Sequence, residues 1–376
     1  MSYRSLGTVI GKLDRLKLVL ILKENEPHEK INLPMFKVEE YIAKDRITGN
    51  QCEAINNLIQ ALRDHLSSVV IPLTFIVTLF GSHGSGLASA SGSDVDVLVK
   101  IDGKLVRNMN QDGLAEAFEA LIKKWPNCGE VIAYNGNTGL INFKCKEPSL
   151  RLRMMVCNSS SFPLRYLYHV RLFQSYAHCH SRVPVFITAV KRWAISNHLK
   201  KNVADRGTPF SGFHWTIIAL SYMIGHHVVP NLHELARESP DLPRMQYGAN
   251  VDMDTFAFIE KPSHVSTGHE INDLFQGFMD WLSRIDLLSF DIDIRTSSVA
   301  VRQPKQRGFL VINDPCSMAS INTVVAPSHQ REHIVFGLKI RKAAEIALEQ
   351  MQKNLSVTDL VYPATSRNLR VDVAVP

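Results

Sequence analysis

Residues 79–98, LFGSHGSGLASASGSDVDVL, decide how this chain is read. An apolar run (IPLTFIVTLF, 71–80) enters a Gly81-Ser82 turn. Small residues follow, and the chain then re-enters an apolar strand, VDVLVKI, with Asp94 just ahead of it and Asp96 inside it. Strand side chains alternate between faces, so Asp94 and Asp96 share one face while Val95 and Val97 pack behind. Two carboxylates so placed are costly unless a proton or a cation lies between them. A hard divalent cation that takes oxygen ligands and shares them with phosphate suits the pair. The amides of a Gly-Ser turn form the kind of nest that binds phosphate oxygens without side-chain bulk, and Ser93 adds a hydroxyl. A lone Asp-x-Asp would also suit a capped strand after a Gly/Ser hairpin loop. Gly-Ser, eleven residues and Asp-Val-Asp, set between two apolar strands, is far more specific.

Outward from this stretch, residues 51–68 place Ile55, Leu58, Ile59, Leu62 and Leu66 at helical spacing. A second amphipathic helix is expected over 111–125, and strands over 139–146 and 150–157. From residue 166 the pattern turns helical: 166–177, 183–199, 211–228 and 271–285 each carry an apolar face of period near 3.6. The Pro-, Ser-, Gly- and Asp-rich stretch 238–270 reads as a long surface loop, 308–314 as a late strand and 329–354 as a closing helix. The expected architecture is α+β: a small mixed sheet over 55–165 and a mainly helical domain from 1–54 and 166–376, with a cleft between them.

The 376 residues suffice for two or three cores, and 45% hydrophobic with 21% charged residues is an ordinary globular composition. The longest apolar runs, 69–80 and 215–224, are too short or interrupted to span a bilayer, so no membrane partner is expected. A net charge of +6 is compatible with a polyanionic partner. Cys52, Cys128, Cys145, Cys157, Cys179 and Cys316 are scattered, which indicates a reducing intracellular compartment rather than a disulfide framework. His178-Cys179-His180 lacks zinc-ligand spacing. The first 17 residues carry basic and hydroxyl side chains and no acid before Asp14. They weakly resemble a mitochondrial presequence; as an ordinary first helix they fit the cytoplasm.

Hydrophobic-Gly-Ser, a short gap and Asp-hydrophobic-Asp resembles the signature of the DNA polymerase β-like nucleotidyltransferases. Four later segments narrow the resemblance to the terminal uridylyltransferases and non-canonical poly(A) polymerases. VFITAVKRWA (185–194) looks like their Lys-x-Trp-Ala helix, and TPFSGFHWTIIAL (208–220) is similar to their Leu-Ser-Ser-Tyr helix start. LFQGFMDWLSRID (274–286) matches their aromatic helix before an Asp, and VINDPCSMASIN (311–322) resembles their Ile-Glu-Asp-Pro segment. Together the segments cover most of 55–350 in the family's order. The resemblance implies a nucleotidyltransferase mixed-sheet domain joined to a mainly helical poly(A)-polymerase-like central domain. It also implies that Asp94 and Asp96 are catalytic and hold Mg2+ or Mn2+. Gly81, Ser82 and Ser93 would then meet the triphosphate of UTP or ATP, and Lys191 its phosphates. Ser211 would mark the nucleotide-side helix, Phe213 would stack on the base and Asp314 would sit at the base edge. The implied partners are an RNA 3′ end and other proteins of an RNA-processing complex.

The same resemblance exposes departures. The family's third carboxylate lies in a segment that corresponds here to LRLRMMVCN (150–158). Counting back from Asn158 puts Met154 at that position. Matching the alternation of Leu150, Leu152, Met154 and Val156 puts Arg153 there, and that register is preferred because a one-residue slip would turn the apolar set outward. Neither is an acid, and Glu147 is a candidate substitute. The expected Asn-Thr pair corresponds to His169-Val170, a second lysine to Ile195, a Ser-Tyr pair to Gly212-Phe213, and two further acids to Asn313 and Ser317. Loss of a positioned general base costs about 10²–10⁴ in rate. The sequence reading is therefore a terminal uridylyltransferase/poly(A)-polymerase-like protein of RNA 3′-end processing, catalytically impaired and acting as a scaffold or binding subunit. The alternatives are an active two-metal transferase with its third acid from elsewhere, and a nucleotide-binding regulatory protein.

Overall fold

In the computed structural model the described residues run from 45 to 361, with breaks at 46, 70–73, 90–93, 104–105, 107–108, 136–138, 159–163, 201–209, 240, 242–243, 246–255, 261–269, 297, 302–309, 317–321, 325–329, 354 and 356. Helix α1 (Gly49–Val69) leads into β1 (Thr74–Phe80), the short α2 (Gly81–Gly84) and β2 (Val95–Asp102). Helix α3 (Gln111–Lys123), β3 (Cys128–Asn135), β4 (Leu140–Cys145) and β5 (Arg151–Asn158) complete a five-stranded sheet of order β1-β2-β5-β4-β3. β2 and β5 are parallel, from Val95↔Leu152 to Ile101↔Asn158, and the other pairs are antiparallel. Mixed pairing follows from the chain path: β2 reaches β5 only after α3 and two antiparallel strands.

The sheet buries one face under α1 and α3. Leu58, Leu62 and Leu66 of α1 and Leu114, Phe118 and Ile122 of α3 pack on Val95, Val97, Val99, Leu152, Met154 and Val156. Asn110 starts α3 by accepting the Gly113 amide at 2.8 Å, an N-cap that satisfies an otherwise orphaned donor. On the other face Phe80, Leu98 and Cys157 meet Val170 of α4 (Leu164–Cys179). That contact joins the sheet to the helical part.

There, α5 (Arg182–Ser196), α6 (Gly212–Gly225), α7 (Leu232–Glu238) and α8 (Ile271–Arg284) surround a second core. Trp193 of α5 meets Trp215 of α6 edge to face at 5.8 Å. The strand pair β6 (Arg244–Met245) and β7 (Phe256–Ala257) lies inside the stretch expected to be a surface loop. Phe256 is fully buried there, so at this point the expectation is corrected: polar neighbours hid an aromatic anchor. A further sheet, β8 (Phe290–Asp293), β9 (Ser298–Val301), β10 (Val311–Asn313) and β11 (Asn322–Val324), has the order β11-β10-β8-β9. Helices α9 (Gln330–Gln352) and α10 (Val357–Val361) close the described chain. Among the described residues no helix is long and apolar enough to cross a membrane.

Candidate functional site

A cavity of about 520 Å³ opens between the C-terminal helical part and the ends of β1, β2 and β5. Its sheet-side wall is set by strand register. Asp96 lies opposite Phe80 on β1 and opposite Arg153 on β5. Because Leu152 and Met154 face the core, Arg151 and Arg153 face the cavity, as Asp94 and Asp96 do. The Arg153 Nε donates to Asp96 Oδ1 at 2.6 Å, and Arg151 Nε stands 3.9 Å from Asp94 Oδ1. Each aspartate is thus faced by a guanidinium from the neighbouring strand. Met154 is fully buried beside Ile141, which leaves Arg153 as the cavity-side residue of the two candidates.

Burial dominates the Asp96 carboxyl and lifts it above its ordinary value, while Arg153 acts in the opposite direction. Gly81 explains how Asp96 comes to be so enclosed. Its φ of +61° favours glycine, and a Cβ there would collide with the Asp96 carboxylate. Ser82 follows it in α2 and lines the cavity, with its carbonyl accepting the Leu87 amide at 2.9 Å. Ser93 and Ser317 lie outside the described residues, as does the N-terminal segment read as a presequence.

The opposite wall is cationic. Lys191 of α5 and Lys200 beyond its end both reach the cavity and converge on Gly212, where a Cβ would stand 3.8 Å from Lys191 Cε and 3.4 Å from Lys200 Cε. Desolvation, with Lys200 adding to it, pulls the Lys191 ammonium down to about 7. Desolvation likewise lowers Lys200, which feels Arg192, Asp94 and Arg153. Arg192 is held by Asp45 through two hydrogen bonds of 2.6 and 2.7 Å. Ile195, at the position where the resemblance led one to expect a lysine, lines the cavity with an apolar side chain.

Beside Gly212 the lining turns aromatic. Phe213 packs on His169 at 4.7 Å and on Phe173 at 5.7 Å. His169 Nε2 hydrogen-bonds Asp314 Oδ1 at 2.7 Å, which also accepts the Cys316 amide at 2.9 Å. The family-based positions 169 and 314 are therefore direct partners across 145 residues of chain. Ser211 caps α6, its amide donating to His214 Nδ1 at 2.9 Å, so the His214 ring carries its proton on Nε2.

Glu147 does not line the cavity. It sits in the β4–β5 turn, its amide on Asn127 Oδ1 and its carbonyl on Asn127 Nδ2. Among the described residues the cavity carboxylates are Asp94, Asp96 and Asp314, and the one group of three metal-capable side chains is His169, Asp314 and Cys316. Sequence reasoning missed Arg151 and Lys200. The Leu-Arg-Leu-Arg alternation carried the signal for Arg151; nothing periodic marks Lys200, which follows a helix end.

A five-stranded mixed sheet with this cavity against a helical domain is the fold of the nucleotidyltransferases that include terminal uridylyl- and poly(A)-polymerases. No protein-family model and no curated protein matches the chain. Solved structures do. The Cid1 poly(U) polymerase with MgGTP bound is similar with a TM-score of 0.63 at 19% identity, covering 84% of this chain and 93% of that one. For mtPAP in complex with UTP the values are 0.68, 16%, 86% and 72%. For a cytoplasmic RNA terminal U-transferase they are 0.63, 18%, 88% and 96%. At these identities the likeness establishes the fold.

Proposed function

We propose that this protein is a catalytically silent relative of the terminal uridylyl- and poly(A)-polymerases, serving as a binding or scaffold subunit in RNA 3′-end processing. One observation carries the reading: Arg153 occupies the strand position beside Asp96 where the family resemblance calls for a third carboxylate, and bonds Asp96 at 2.6 Å. With Arg151 facing Asp94, the two carboxylates and two guanidiniums sum to zero charge. That set does not fit Mg2+ or Mn2+, which need anionic oxygen donors to offset their dehydration. No other cavity carboxylate among the described residues is available, because Asp314 is committed to His169 and to the Cys316 amide. Among the described residues no cavity carboxylate is thus left to take a proton from an attacking hydroxyl.

The proposal keeps residues 55–165 as the nucleotidyltransferase-type domain, and 1–54 with 166–376 as the central domain. Ser82, Lys191, Ser211, Phe213 and Asp314 belong to a nucleotide-sized cavity that outlasts the chemistry. A partnered role has a parallel among the structural neighbours: GLD-2 was solved as a GLD-2/RNP-8 complex, with a TM-score of 0.63 at 16% identity. The test is a 3′-extension assay on RNA with each of the four nucleoside triphosphates in Mg2+ and in Mn2+. No extended product is expected. Metal-dependent extension that disappears in Asp94→Ala would establish the active transferase instead.

A further inference from the structure

We infer that Lys191 is a carbamylation site: its ε-amine takes up carbon dioxide reversibly, and the carbamate so formed pairs with the Lys200 ammonium beside the N-terminus of α6. This modification of the cationic wall is independent of whether the cavity transfers nucleotides.

The first support is a missing counter-ion. Arg192 is held by Asp45, Arg153 by Asp96, and Arg151 faces Asp94. His169 is paired with Asp314, and His214 accepts the Ser211 amide. Lys191 and Lys200 remain. Among the described residues neither has a carboxylate within ion-pair distance, and Lys191 Nζ has only the Leu87 carbonyl at 3.4 Å. Both side chains line the cavity and converge on Gly212, where a Cβ would stand 3.8 Å from Lys191 Cε and 3.7 Å from Lys200 Nζ. Two desolvated ammonium groups so close are costly unless one gives up its proton or an anion joins them.

The second support is the surroundings of the amine. A lysine desolvated beside another cation is left neutral and nucleophilic near neutral pH. Burial, with Lys200 adding to it, pulls Lys191 down to about 7. Gly212 opens α6, a helix of 14 residues. The Gly212 and Phe213 amides of its first turn have no intrahelical acceptor, and with the helix dipole they favour negative charge at that end.

The third support is the charge of the product. The lone pair of the amine nitrogen forms a bond to the carbon of carbon dioxide, one C–O π pair moves onto oxygen, and one N–H proton leaves to solvent. Nothing is oxidised or reduced, and no group other than the proton departs. The remaining N–H still donates to the Leu87 carbonyl, while the new carboxylate faces Lys200. Imine formation with an aldehyde, or amide formation with an acyl donor, leaves Lys200 without a counter-ion. The carbamate instead turns two like charges into an ion pair. The cavity of about 520 Å³ has room for the added carboxylate.

The test incubates the full chain with 13C-labelled bicarbonate, traps carbamates with triethyloxonium and locates the ethyl carbamate by peptide mass spectrometry. Carbon-13 NMR of the same samples reads the carbamate before trapping. Label is expected at Lys191 above every other lysine. At fixed dissolved carbon dioxide its occupancy should rise with pH through about 7, because only the neutral amine reacts. Lys200→Met should lower Lys191 occupancy about tenfold or more, the scale of one charge-assisted hydrogen bond, and Lys200→Arg should retain it. Thermal unfolding checks that each variant is folded. No label at Lys191 in the folded wild type overturns the inference, as does label spread evenly over the surface lysines. A carbamate resonance that survives Lys191→Arg overturns it too. Undiminished labelling of Lys191 in Lys200→Met overturns the pairing.

Discussion

Replacing Arg153 with aspartate exchanges the guanidinium bonded to Asp96 for a carboxylate. Two unit charges about 4 Å apart at an effective dielectric near 20 interact by about 4 kcal/mol. With all four groups taken at that one distance, a dication between Asp94 and Asp96 gains about 8 kcal/mol from each carboxylate and loses about 8 to each guanidinium, so the guanidiniums offset the attraction. Little is then left to offset the dehydration of the ion. Solvent around the half-exposed guanidiniums screens these figures. Arg153→Asp removes one repulsion and adds one attraction, a swing of about 16 kcal/mol before screening. Even a quarter of that swing is about a thousandfold in affinity. Electron paramagnetic resonance of Mn2+ reads the free ion directly. The wild type is expected to retain none at millimolar Mn2+, Arg153→Ala a little, and Arg153→Asp to bind in the micromolar range. In EDTA the aspartate variant should unfold at lower temperature than the wild type, because three carboxylates crowd one site, and Mn2+ should restore it. Equal Mn2+ retention by the wild type and Arg153→Asp would refute the electrostatic reasoning.

Other consequences follow from single contacts. Gly81→Ala forces a side chain into left-handed backbone against the Asp96 carboxylate and should cost about 1–3 kcal/mol in chemical denaturation; an unchanged midpoint would contradict the enclosure of Asp96. Asp314→Ala leaves the buried His169 ring without its partner, for an expected loss of about 1.5–3 kcal/mol read by the same method. Phe213→Ala should weaken UTP or ATP by about 1–3 kcal/mol while leaving tripolyphosphate binding unchanged. Lys191 has its pKa lowered to about 7, so the folded state holds fewer protons than the unfolded state between about 7 and the usual lysine value. The stability contributed at this residue therefore rises with pH across that window, and anion binding tightens as pH falls through about 7. Calorimetric pH profiles of tripolyphosphate binding should show that step in the wild type and lose it in Lys191→Met.

The sheet was legible because its central strands alternate cleanly: β2 and β5 bury every second residue under α1 and α3, and a one-residue slip would have exposed them. β3 was not. Cys128–Asn135 is an edge strand, largely exposed and broken by two register shifts, so it carries no period-2 signal. Of β8 to β11 the sequence marked β10 alone, inside the strand expected over 308–314; β8, β9 and β11 escaped notice because they are three or four residues long. In the site, the positions of Gly81, Ser82, Asp94 and Asp96 could be read locally, since one strand-turn-strand unit carries them all. The Arg153–Asp96 bond spans 57 residues and depends on parallel register, which the sequence constrains through alternation alone. That alternation selected Arg153 over Met154, and the same rule applied one step earlier would have found Arg151. Lys200 reaches the cavity from beyond a helix end, where no periodicity operates.

The most direct measurement is a crystal structure of the protein grown with MnCl2 and UTP, with anomalous difference density calculated at the manganese edge. No peak is expected between Asp94 and Asp96, with the Arg153 guanidinium still on Asp96. A manganese peak bridging the two carboxylates, with Arg153 swung away, would contradict it.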